Sequence, residues 1–174
     1  MSLQKKLLIV EPVLCAHSVG YFRSILANDR FRKEYDLYFL YADVGLLDSE
    51  MLQPLRDEFG DLFKSERMDL SGKANGAGQL AGFAKIKQVL KRASLLHDEL
   101  GNAQVAFLNA DFLIKWLGVP GVASGFSSLK GKITGVFFNS RCLRENSLKN
   151  RLLKRLILRG IKSCLLYTSP SPRD

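Results

Sequence analysis

The chain has 174 residues, 47% of them apolar, and a formal net charge of +9. Its mean hydropathy lies close to zero. A single domain with a real core fits that length, a disordered chain is excluded by the apolar content, and no apolar run approaches the roughly 18 residues needed to span a bilayer. The charge is concentrated at one end: between Lys130 and Lys162 ten basic residues face one acid, Glu145, so this stretch alone carries the whole +9. Cys15 and Cys142 form neither a CxxC pair nor a metal-ligand spacing, which suits free thiols in the reducing cytoplasm.

In chain order, Lys6 to Pro12 (KLLIVEP) is a short apolar run closed by proline, the pattern of a strand buried on both faces. Glu11 and Pro12 break the stretch too early for a signal peptide. Ser18 is placed to cap a following helix whose Val19, Phe22, Ile25 and Leu26 share one face. Tyr35 to Tyr41 (YDLYFLY) predicts a second strand, which completes a βαβ unit with parallel strands and a right-handed crossover. Asp48 to Phe59 predicts a helix, Arg67 to Leu70 a short strand, and Ser71 to Gly78 (SGKANGAG) a loop. Leu80, Phe83, Ile86, Leu90 and Ala93 mark a long helix ending near Gly101. Then come a strand over Ala103 to Asn109, a helix over Asp111 to Leu117 ended by Gly118 and Pro120, a strand over Lys132 to Asn139, and a helix over Ser147 to Ser163. Strands alternating with helices predict an α/β fold: a Rossmann-like, doubly wound, mainly parallel sheet with helices on both faces.

Cys164 to Asp174 reads CLLYTSPSPRD. Back-translated, it resembles the transposase adaptor used to prepare DNA libraries for short-read sequencing. On that reading residues 1–163 are a domain of a longer protein, and 164–174 are a non-native tail to be left out of fold reasoning.

Two glycine motifs point to phosphate binding and fail on context. Gly76, Gly78 and Gly82 (GAGQLAG) follow an irregular mid-chain segment and not the first strand. Gly72-Lys73 lacks the first glycine and the Ser/Thr of a P-loop, since Arg67 and Ala74 stand there. His17 is the stronger candidate. It comes just past the first strand, at the carboxyl edge where open parallel sheets bind ligands. At a helix start, the dipole favours the neutral imidazole that a general base requires. Asp111 follows the fourth strand and would share that edge, where a carboxylate fixes the tautomer of a catalytic imidazole. The same residues also fit a solvated loop histidine and an aspartate that only caps its helix. His97, between Leu96 and Asp98-Glu99, reads as a solvated residue on a helix flank. In the last helix Arg151, Lys154, Arg155, Arg159 and Lys162 form a basic arc opposite Leu152, Leu153, Leu156, Ile157 and Ile161, suited to solvent, an acidic substrate or anionic lipid head groups. Nucleic acid is disfavoured, because no aromatic interleaving accompanies the charge.

PVLCAHSVGYFRSIL (Pro12 to Leu26), the strands AFLNAD and ITGVFFNS, and the basic helix together resemble the N-terminal domain of GT-B glycosyltransferases. In one branch of that superfamily a histidine after the first strand is the catalytic base, partnered by an aspartate after a later strand. His17 and Asp111 match those places, while Ala16 stands where the family usually has glycine. The resemblance implies an acceptor-side half-enzyme, inactive alone. Its acceptor would be a sugar, a lipid-linked compound or another small molecule; the nucleotide-sugar donor would bind a C-terminal domain outside this chain, and no cofactor or metal is implied. The alternatives are a flavodoxin-like binding or regulatory domain, and a peripheral membrane adaptor working through Arg151, Lys154, Arg155 and Arg159.

Overall fold

The structure is a computed structural model that describes residues 4–44, 49–70, 78–108 and 133–135, with backbone alone at 49, 78–83 and 133–135. Five parallel strands form one sheet: β1 (Lys5–Glu11), β2 (Tyr35–Asp43), β3 (Lys64–Asp69), β4 (Gln104–Phe107) and β5 (Ile133–Gly135). Their order, β3-β2-β1-β4-β5, is the Rossmann order. A flavodoxin-like sheet would set β3 beside β1, so that expectation for the alternative fold is corrected. Here β4 takes that place.

Side-chain alternation along the strands divides the core into two layers. Leu8 and Val10 of β1, with Leu40 and Ala42 of β2, face α4 (Gly78–Glu99) and pack on its Ile86, Val89, Leu90 and Ala93. Leu7, Ile9, Phe39 and Tyr41 point the other way, onto Phe22 and Leu26 of α1 (Ala16–Ala27) and Leu55 of α3 (Gln53–Phe59). The sheet is therefore covered on both faces, which is why Leu7 to Val10 of β1 and Leu37 to Ala42 of β2 are apolar without interruption. Phe22 anchors the second layer, with its ring centroid 5.0 Å from that of Phe39 and 6.0 Å from that of Phe63. Among the described residues no helix is long and apolar enough to cross a membrane.

Several boundaries differ from expectation. A short helix, α2 (Asp29–Glu34), lies between α1 and β2. Asn28 closes α1 through its N–H to the Ile25 carbonyl, and its side chain accepts from Arg30 and Phe31 N–H to open α2. The helix expected from Asp48 begins as a 3-10 turn over Ser49–Leu52 and becomes α-helical only at Gln53, where Pro54 sits in the first turn. The strand expected over Arg67 to Leu70 starts earlier, at Lys64. Its charged side chains are satisfied laterally: Arg92 of α4 makes a bidentate pair with Glu66 at 2.6 and 2.8 Å and also reaches Glu99 at 2.8 Å. Residues 71–77 of the expected loop, the helices expected over Asp111 to Leu117 and Ser147 to Ser163, and the tail lie outside the described residues. So do Cys142 and the basic arc, Arg151, Lys154, Arg155 and Arg159 included.

Candidate functional site at the carboxyl edge of the sheet

β1 is the central strand, and its carboxyl end opens into the turn Pro12 to Cys15. Pro12, Val13 and Leu14 are buried there. The Leu14 N–H donates to the Ala42 carbonyl at 2.8 Å, which lays the turn across the end of β2. Glu11, the last residue of β1, is fully buried. Its carboxylate accepts from the Val13 N–H at 3.3 Å through one oxygen and from the Ser18 hydroxyl at 3.1 Å through the other. A buried carboxylate survives folding only with such donors around it.

Cys15 is the N-cap of α1, with extended backbone at φ −142° and ψ 172°. Ser18, expected as the cap, sits three residues inside, is fully buried, and reaches back to accept from the Cys15 N–H at 3.0 Å. That is the return half of a capping box, in which the inner residue satisfies the amide of the cap. The Ser18 hydroxyl has one proton, which it donates in its hydrogen bond to Glu11. The oxygen therefore acts as acceptor toward the half-exposed Cys15 thiol, 3.3 Å away.

His17 is the second residue of α1, exposed to solvent beside this network. Asp111 lies outside the described residues. β4 ends at Phe107, in register with Val10, so the chain leaves β4 at the same edge as the β1 turn. At the end of β2, Asp43 is buried and pairs with Arg67 of β3 at 2.8 Å. Among the described residues no cluster of three or more His, Cys, Asp or Glu could hold a metal ion.

His97 is not solvated. It is fully buried near the end of α4, and its Nδ1 lies 2.7 Å from the Ala103 carbonyl oxygen. That oxygen can only accept, so Nδ1 carries the proton. The His97 carbonyl in turn accepts from Asn102 N–H at 2.9 Å, across a turn where Gly101 and Asn102 both have positive φ (71° and 64°). His97 fastens α4 to β4 at the amino edge, away from the carboxyl-edge turn.

No family model and no curated protein sequence matches the chain. Among solved structures it is similar to a ferredoxin-NADP+ reductase from Plasmodium falciparum, at 10% sequence identity and a TM-score of 0.42, over 78% of this chain. The chain spans about half the length of that structure, 53%.

Proposed function

We propose that this chain is the acceptor-side domain of a GT-B type glycosyltransferase, acting with a donor-binding domain outside the chain. The observation that carries the reading is the position of His17. It stands exposed on the first turn of α1, directly past the central strand, on the edge where open parallel sheets take their ligands. The acceptor hydroxyl attacks the anomeric carbon of the donor sugar, and its proton passes to the neutral imidazole of His17. A new C–O bond forms, and the bond to the nucleotide phosphate breaks, its electron pair leaving with the nucleotide. Asp111 accepts the other ring N–H and steadies the imidazolium.

The isolated chain then transfers no sugar, because donor and acceptor must be held in one orientation. In a protein carrying both domains, His17→Ala lowers turnover roughly a hundredfold or more, the usual worth of a positioned base. Turnover retained within a few-fold would remove His17 from the chemistry.

A further inference from the structure

Sheets with this strand order commonly take a dinucleotide at the turn between the first strand and the first helix. Glycines there let the backbone approach the pyrophosphate, and the helix N-terminus offers free N–H groups. The residues of this turn do not fit that group. Pro12 to Cys15 contains no glycine, and Pro12 has no N–H to give. Three of the turn's amides are already committed: Val13 to Glu11, Leu14 to Ala42 and Cys15 to Ser18. Val13 and Leu14 stand where such a turn would carry glycine, and both side chains are buried.

An acidic side chain nevertheless lies in the turn. We infer that the Glu11 carboxylate occupies the place of the phosphate in this turn, and that the chain takes no dinucleotide or nucleotide pyrophosphate there. One oxygen receives the backbone N–H of the turn and the other the hydroxyl from the first turn of α1, the donor types that a bound phosphate would use. A helix N-terminus carries about half a positive charge, which a neighbouring carboxylate complements. A bound phosphate would have to compete for donors that the carboxylate already holds.

The test is titration of the 174-residue chain with inorganic pyrophosphate and with NADP+, read at the backbone amides of Val13, Cys15 and Ser18 by two-dimensional NMR. Concentrations run to about 10 mM, tenfold past a weak affinity of about 1 mM. The wild-type chain is expected to show no saturable shift at these amides, and Ser18→Ala, which keeps the carboxylate, is expected to match it. Glu11→Ala removes the side chain that holds the Val13 N–H and the Ser18 hydroxyl, and it is expected to gain pyrophosphate-dependent shifts there. Saturable wild-type binding centred on these amides would overturn the inference, with or without a folded variant. Silence in both wild type and a folded Glu11→Ala would overturn the role given to the carboxylate. The inference is independent of glycosyl transfer: an inert His17→Ala would leave it standing.

Discussion

Replacing His97 with alanine removes a fully buried ring and the donor to the Ala103 carbonyl, 2.7 Å away. Stranding a buried carbonyl costs about 1–3 kcal/mol. If roughly 60 Å³ of the ring's space stays empty, the cavity adds about 1.5 kcal/mol at about 24 cal/mol per Å³. The sum, about 2.5–4.5 kcal/mol, is a large fraction of the roughly 5–15 kcal/mol that holds a domain together. Equilibrium urea unfolding followed by circular dichroism reads it as a midpoint lowered by about 1–2 M, for a slope of about 2 kcal/mol per M. His97→Asn, whose amide nitrogen stands near the position of Nδ1, should recover about 1 kcal/mol. A change within about 0.5 kcal/mol for alanine, as for an exposed position, would refute the account of His97 as the fastening between α4 and β4.

Two more outcomes concern the core and the charges. Phe22→Ala empties the centre of the aromatic layer against Phe39 and Phe63 and should cost about 3–5 kcal/mol in the same urea assay; a loss below about 1 kcal/mol would mean that the layer repacks freely. On the alkaline side, burial and then Glu34 raise the Tyr35 hydroxyl above 10.0, and the hydrogen bond from Lys64 to Asp36 raises its ammonium above 10.5. Groups raised on folding contribute fully below their unfolded values and lose that contribution as pH climbs through the folded ones. Thermal midpoints should therefore hold steady up to about pH 10 and decline beyond it, whereas a midpoint that rises above about pH 10 would contradict the signs.

The sheet was legible because its signal is redundant. KLLIVEP and YDLYFLY place apolar residues on both faces, as only strands covered on two sides need do. α2 was not anticipated, since six mostly charged residues carry no periodicity; the sign was Asn28, a capping residue in mid-connection. The buried polar residues were misread for a shared reason. Ser18 precedes Phe22 and Leu26 by four and eight positions, and His97 follows Ala93 and Leu90 by four and seven, so both continue buried stripes. Identity suggested a helix cap for Ser18 and solvent for His97, where position said core. Glu11 was noticed only as a break in an apolar run. Its burial depends on donors supplied by the folded turn, which a linear reading does not display.

The proposed base is His17 at the carboxyl edge of β1, with Asp111 as its proposed partner. The most direct measurement is the pair of imidazole 15N shifts of His17 at alkaline pH, in the wild-type chain and in Asp111→Asn. A carboxylate that accepts one ring N–H holds a single tautomer. The account predicts two widely separated shifts in wild type that move toward each other when Asp111 becomes asparagine. Indistinguishable spectra from the two proteins would contradict it.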